Sequence, residues 1–353
     1  MIKYLGSKRR LVPVLGAILE RSRARTAADL FTGTTRVAQE FKRRGARVWA
    51  NDTARYSEVL ARCYVATDAR AIDSAALRTA LDRLNALPGR EGYFTRTFCR
   101  RARYLQPRNG ARVDSIRDAL ERDYAGSPLF PVLLTSLLEA ADRVDSTTGV
   151  QMAYLKRWAP RAQRPLELRA PAMLSGPGSA LRADALEAAR SLPEVDLAYL
   201  DPPYNQHSYL ANYHVWETLV AWDAPEHYGV ACKRADCRDP VKRSPFNSRR
   251  RIHRALRDLL ESVRARLVVV SGNDESWVTL DDLVDICAVR GTVRVLAFDS
   301  ARYVGARIGI YDPTGRRVGR IGRLRNVEYL LLAGDEGDVA RASGAVPALA
   351  AGA

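Results

Sequence analysis

Three short apolar runs in this chain each stop at an acid or a glycine turn, and that pattern restricts its fold more than anything else. Thr26-Ala-Ala-Asp-Leu-Phe31 runs into Thr32-Gly33-Thr34-Thr35, Ala46-Arg-Val-Trp-Ala-Asn51 ends at Asp52, and Val195-Asp-Leu-Ala-Tyr-Leu200 ends at Asp201-Pro-Pro-Tyr204. Arg36 to Arg44, between the first two, reads as a helix. Strand, turn, helix and strand in that order begin a doubly wound, mostly parallel sheet, whose ligands gather at the carboxyl ends of its strands. Leu267-Val-Val-Val270 is apolar without alternation, as a strand buried on both faces requires, and it opens into Gly272-Asn-Asp274. Val293 to Phe298 and Val327 to Leu332 read as closing strands. Leu11 to Arg25 and the second half of 240–266 carry apolar residues at helical spacing.

Between about Ala66 and Pro171 the character changes. Arginine is dense, helical patterns dominate, and Tyr93, Phe94, Phe98, Tyr104, Tyr124, Tyr154 and Trp158 are interleaved with the charge. This is expected to be a largely helical insertion, its aromatics serving either as its own core or as contacts to nucleic acid. The sheet-bearing domain then comprises residues 1–65 and 172–332. The stretch from Ala333 to Ala353, rich in Gly, Ala and acids and without periodicity, is expected to be disordered.

The 353 residues carry 56 Lys and Arg against 40 Asp and Glu, a net charge of +16. A polyanionic partner follows, nucleic acid first, although a coding bias toward Arg and Ala would inflate the same number. The five cysteines are scattered and read as free thiols. Cys232, Cys237 and His227 lack a second close pair to complete a tetrahedral site, so no metal is expected. No apolar stretch is long enough to cross a bilayer, and the first residues lack a signal-peptide core, so the expected setting is the cytoplasm, away from any membrane.

The strand ends carry the chemistry. At Gly33 a ligand can approach the backbone closely, but Thr35 stands where a dinucleotide fingerprint would have another glycine. Asp52 suits either the ribose hydroxyls of an adenosine or the N-cap of the following helix. Asp184, closing another candidate strand, could accept from an adenine amino group. Together these describe a nucleoside pocket without a pyrophosphate site. S-adenosylmethionine fits it, with Asp29 favouring the sulfonium. In Asp201-Pro202-Pro203-Tyr204 the prolines freeze a turn and leave carbonyls free. The Asp201 carboxylate and Pro202 carbonyl can accept both N–H bonds of an amino group conjugated to a ring, and Tyr204 can stack on a base rotated out of a duplex.

On these residues the chain resembles the Dam-like, α-class DNA adenine-N6 methyltransferases. Asp201 to Tyr204 matches their Asp-Pro-Pro-Tyr motif, and Lys3-Tyr4-Leu5-Gly6-Ser7-Lys8 their N-terminal Lys-x-x-Gly-x-Lys motif. The resemblance implies a Rossmann-like methyltransferase sheet with an inserted target-recognition region at 66–171. It implies S-adenosylmethionine as cofactor, S-adenosylhomocysteine as product and no metal. Tyr4, Lys8, Asp29, Phe31, Gly33, Asp52, Asp184 and Asp201 would hold the cofactor; Asp201, Pro202 and Tyr204 would act on the adenine. For duplex DNA it suggests Lys8, Asn205, Lys242, Arg243, Arg249, Arg250 and Arg251, with Arg316, Arg317, Arg320 and Arg323 as a second basic loop. Asn205–Leu219, Lys242–Ser248, Ser271–Glu275 and Arg302–Tyr311 look like the subgroup beside bacterial restriction systems, making a nearby endonuclease a candidate partner in a bacterial or phage setting. RNA adenine methylation and a DNA-binding homologue without activity are the alternatives. An Asn in place of Asp201 would be expected of protein-glutamine methyltransferases.

Overall fold

The computed structural model describes residues 2–4, 8–206, 208–301, 310–311, 317–319 and 325–344. Arg302–Gly309 and Arg316, Arg320 and Arg323, like Leu5, Gly6 and Ser7, lie outside the described residues. The chain divides into two compact units, the first of Met1–Tyr4, Thr32–Asp184 and His207–Arg243, the second of Leu5–Phe31, Ala185–Gln206 and Ser244–Ala353. The expected boundary at 66–171 therefore does not coincide with the compact units.

The principal strands are β1 (Thr26–Asp29), β2 (Arg47–Asn51), β3 (Gly178–Leu181), β4 (Val195–Leu200), β5 (Ala265–Asn273), β6 (Thr292–Ala301) and β7 (Arg325–Gly334). The fold is mixed α/β and mostly parallel, as the strand-end pattern requires. In the second unit β4 lies between β1 and β5 and parallel to both, with Ala27 opposite Leu197 and Leu197 opposite Leu267. β7 then pairs antiparallel with both β5 and β6. Leu197, Ala198, Leu200 and Leu267 to Val270 are all buried, which accounts for their lack of alternation. Asp196 fastens the opposite ends of β1 and β4. Its Oδ2 accepts from the Arg25 amide at 2.8 Å, the Thr26 amide at 2.9 Å and the Thr26 hydroxyl at 2.8 Å.

The disorder expected from Ala333 is corrected over residues 333–344, while residues 345–353 lie outside the described residues. Residues 333 and 334 finish β7, and Glu336–Ser343 is a helix with Val339 and Ala342 buried. Arg266 ties it down through an ion pair to Asp338 at 2.7 Å. The run shows no compelling period because only one narrow stripe of a two-turn helix is apolar.

In the first unit β2 pairs parallel with β3, and a side chain at Gly178 would place its Cβ 2.4 Å from the Val65 carbonyl oxygen. Helix Phe130–Arg143 is buried over most of its length, including Glu139 and Asp142. Those acids are matched: Glu139 accepts from the Tyr64 hydroxyl at 2.5 Å and Asp142 from Lys3 Nζ at 2.8 Å. Of the aromatics interleaved with charge, Phe94, Phe98 and Tyr104 are fully buried, so they form core. Asp114 gathers the amides of Gly92, Phe94 and Thr95 beneath them at 2.8–3.0 Å.

Asp196 yields a pH-dependent prediction. Burial works against its charge, yet the bonds from Arg25 and Thr26 bring its pKa below the ordinary carboxylate value. A depressed pKa contributes stability above the unfolded value and loses it as pH falls through the folded one. Asp196→Ala should cost about 1–3 kcal/mol at pH 7. The gap in melting temperature from wild type should shrink as the buffer is taken below pH 4; a pH-independent gap would contradict the assignment.

Candidate active site

Each unit presents one cluster of predicted residues at strand ends. In the first unit the turn Thr32–Thr35 is closed by the Thr35 amide on the Thr32 carbonyl at 2.6 Å and held to β2 by the Thr32 amide on the Asn51 carbonyl at 2.9 Å. Gly33 has φ +49° and Thr35 φ +63°, so two of its residues are left-handed. Glycine meets that need without strain, whereas Thr35 does not. Thr35 is kept there by its own hydroxyl donating to the Thr34 carbonyl and accepting from Gln39 Nε2, each at 2.7 Å. The departure from glycine noted in the sequence thus falls on a position whose backbone favours glycine.

Asp52 joins this turn to the approach of the next helix without being that helix's N-cap. Its Oδ2 accepts from the Gly33 amide at 2.9 Å and its Oδ1 from the Ala54 amide at 3.0 Å. The N-cap of helix Arg55–Ala61 is Ala54, and the Glu217 carboxylate takes up the Arg55 and Tyr56 amides. The capping alternative for Asp52 is set aside. Each carboxylate oxygen has further acceptor capacity, which is what a ribose diol needs. Burial raises the Asp52 pKa, against the pull of the Ala54, Gly33 and Thr53 amides.

Tyr4 covers Gly33. Its ring stacks on Tyr213 at 4.7 Å and Tyr209 at 5.3 Å between centroids, and a Cβ on Gly33 would sit 3.0 Å from it. Burial and the neighbouring Tyr56 raise the Tyr4 pKa well above that of an ordinary phenol. Asp184 lies beyond the end of β3, exposed. The Asn51 side chain holds the residue before it, donating to the Ala183 carbonyl and accepting from its amide, both at 3.1 Å. This cluster is suited to an adenosyl group: a turn that admits backbone approach, a carboxylate with spare acceptors, and aromatic faces beside it.

In the second unit Asp201 follows β4 directly. Lys8, only 7% exposed, puts Nζ 3.2 Å from Asp201 Oδ1, 3.7 Å from Glu328 Oε2 and 5.9 Å from the Tyr204 ring centre. Burial works against the Lys8 charge, but Asp201, then Tyr204, Tyr199 and Glu328, carry its pKa well above the ordinary lysine value. Conversely, burial raises the Asp201 pKa and the Lys8 ammonium opposes the rise. Pro202 is buried. Tyr204 is fixed at both ends: its hydroxyl accepts from Asn273 Nδ2 at 3.0 Å and its carbonyl from the Trp277 amide at 3.1 Å. Asp29 is buried at the end of β1, opposite Tyr199, and Phe31 meets Phe246 edge to face at 5.3 Å.

Glu328 and Asn273 did not stand out in the sequence. Asn273 had a signal, since it sits in the loop-like end of an unalternating strand. Glu328 had none, because only the antiparallel register, which sets it opposite Asn273, brings it to this end of β7.

The residues assigned to DNA are more dispersed. Lys8 is inside, on Asp201. The Asn205 carbonyl accepts from Asn247 Nδ2 at 2.7 Å, and Lys242 pairs with Asp236 at 2.7 Å. Arg243, Arg249, Arg250 and Arg251 are exposed. Arg317 begins a short strand, Arg317–Gly319. Among the described residues no group of three or more His, Cys, Asp or Glu is placed to hold a metal ion, and no helix is long and apolar enough to cross a membrane.

An α/β sheet with an acid-proline-proline-tyrosine turn beside a buried lysine is the arrangement that the resemblance to amino-group methyltransferases leads one to expect. Residues 4–271 match the family of D12 class N6 adenine-specific DNA methyltransferases, and the chain belongs to it. It is 33% identical over 238 residues to the type II methyltransferase M.NlaIII of Neisseria lactamica, covering 63% of this chain and 70% of that protein. It is 30% identical over 319 residues to the modification methylase LlaI of Lactococcus lactis subsp. lactis, covering 83% of this chain and 50% of that protein. The type II methyltransferase M.CviAII of Paramecium bursaria Chlorella virus 1 is 27% identical, with 86% and 92% covered. The chain thus spans only half the length of LlaI.

Gly33 supplies the second prediction. Gly33→Ala forces a side chain into a left-handed residue and against a ring that its neighbours hold in place. It should lower stability by about 1–2 kcal/mol. S-adenosylmethionine affinity by titration calorimetry should fall more than tenfold, while Ala substitution at exposed Arg254 changes neither.

Proposed function

We propose that this chain transfers a methyl group from S-adenosylmethionine to the N6 amino group of an adenine in duplex DNA. The observation that carries this is the Asp201–Tyr204 turn with Lys8 on its carboxylate, in a chain of the adenine-methyltransferase family. The adenine amino lone pair is delocalised into the ring, and the amine is a poor nucleophile until its nitrogen is pyramidal. Two fixed acceptors, the Asp201 carboxylate and the Pro202 carbonyl, favour that shape in the transition state more than in the planar ground state. Lys8 opposes the rise that burial imposes on the Asp201 pKa and so favours its ionised form. Tyr204, held by Asn273, offers its ring to a base turned out of the stack, since the amino group cannot be reached inside a duplex.

The cofactor supplies an electrophilic methyl on a sulfonium: one C–S bond breaks, one C–N bond forms and N6 sheds a proton. Asp52 takes the ribose hydroxyls and Asp184 the adenine amino group. Gly33, Phe31 and Tyr4 shape the approach, and Asp29 favours the positive sulfur. Residues 66–171 read the target, with Arg243 and Arg249 to Arg251 on phosphates. The names of the relatives support a place in a restriction-modification system, beside a cognate endonuclease in a bacterial or phage-infected cytoplasm.

Incubation with radiolabelled S-adenosylmethionine and duplex DNA, RNA or protein tests the reading. Label should appear in DNA adenine with wild type and fall to background with Asp201→Ala; label confined to RNA, or undiminished in the variant, would overturn it. Lys8→Met removes the charge that opposes burial, so Asp201 should protonate at higher pH. The acid limb of kcat/KM should move up by about one pH unit or more; an unmoved limb would show that Lys8 does not act through Asp201.

A further inference from the structure

A hairpin in the first unit, beyond the 66–171 insertion, is used by none of the chemistry above. The two-stranded hairpin His227–Tyr228 and Lys233–Arg234 turns through Gly229, Val230, Ala231 and Cys232. Val230 at its tip is 79% exposed, one of few large apolar side chains so placed among the described residues, and Met152 beside it is 46% exposed. The tip is built to stay out. Gly229 has φ +67° and Cys232 φ +49°, a strained value for a residue with a side chain, and the Cys232 side chain is fully buried beneath the turn. The buried Tyr104 hydroxyl lies 3.0 Å from the Ala231 carbonyl and 2.8 Å from that of Gln151, pinning the hairpin to the 151–158 segment.

The segments that meet at this tip carry cations and no acids. Lys233 Nζ is 3.4 Å from the Met152 sulfur, Arg103 lies over Trp158 at 4.6 Å and donates to the Lys156 carbonyl at 2.8 Å, and Arg101 acts electrostatically on the Cys232 thiol. Residues 99–108, 148–164 and 229–234 contain no Asp or Glu. Of the acids just beyond the hairpin, Asp223 and Asp236 are taken up by the buried Arg234, with 2.7 Å and 3.0 Å contacts, and exposed Glu226 stands at the base of the hairpin, away from its tip. Apolar side chains flanked by phosphate-binding cations are how proteins press between or against base steps, while neutral or basic partners would gain nothing from the cations.

We propose that the Gly229–Cys232 tip is a wedge that sets Val230 against the base stack of duplex DNA while Arg101, Arg103, Lys156 and Lys233 neutralise phosphates. The inference rests on the reading of this chain as a DNA methyltransferase and adds a hairpin contact, outside the 66–171 insertion, to cations that the insertion supplies. A wedge and a phosphate contact differ in how they respond to salt. Val230→Ser should weaken duplex binding about tenfold, from the apolar area it no longer buries. The factor should be the same at every salt concentration, with melting temperature and S-adenosylmethionine affinity unchanged. The double variant Lys156→Gln, Lys233→Gln should instead reduce the slope of log Kd against log salt by about 2. Duplex binding that is strong in wild type and unaltered in Val230→Ser, or an unaltered slope in the double variant, overturns the wedge alone. A wild-type protein that binds no duplex DNA overturns the proposed function together with it.

Discussion

Burial of the central strands on both faces is the constraint from which the rest of the second unit follows. Leu197, Ala198 and Leu200 on β4 and Leu267 to Val270 on β5 have no face left for polar chemistry. Charged groups can appear only where the strands stop, and there each needs a partner, since an unpaired buried charge is costly. At one end of β4, Asp196 spends its carboxylate on the Arg25 and Thr26 backbone. At the other, Asp201 is matched by an ammonium instead of by amides. The difference is chemical: amides would occupy the carboxylate's lone pairs in fixed directions, whereas a single lysine leaves acceptor capacity facing outward. In the first unit Asp114 gathers three amides and the Thr95 hydroxyl, whereas the Asp52 oxygens accept from the amides of the Gly33 turn and of Ala54.

Much of this was legible because strand ends announce themselves locally. An apolar run followed by Asp52 or by Asp201-Pro202-Pro203 needs no tertiary information to suggest an acid at a sheet edge, and β1, β2, β4 and β5 lie where those runs do. Tyr4 and Lys8 were legible only through the resemblance, since nothing in a short polar entry segment predicts that one ring will cover Gly33 and one ammonium will be buried on Asp201. Glu328 and Asn273 face each other across antiparallel strands 55 residues apart, and only long-range register decides which residue reaches the site. The role of Asp52 was ambiguous for a related reason. A capping acid and a turn-holding acid have the same local sequence, and it took Glu217, remote in the chain, to supply the helix amides and release Asp52 from that duty.

The insertion misleads in the opposite direction. Aromatics interleaved with arginine invite a nucleic-acid reading, yet Phe94, Phe98 and Tyr104 are core, and alternation with charge reflects helices that bury one stripe. The disorder expected over residues 336–343 fails similarly, since an eight-residue helix with four buried positions, of which only Val339 and Ala342 are apolar, is too short for periodicity to rise above composition.

Net charge is equally coarse. Much of the positive charge in the insertion is answered on the spot: Arg70 by Asp68, Arg83 and Arg122 by Asp123, Arg90 by Asp118, Arg117 by Glu121, and Arg169 by Glu167. Such pairs cancel beyond a Debye length and steer nothing. What reaches a distant phosphate is the charge of surfaces whose acids are absent or already consumed. The total of +16 therefore says less about where a polyanion would settle than the local balance does. By that measure the basic segments around Val230 project a field, while Lys242, bound to Asp236, contributes little despite lying in the more conspicuous basic run.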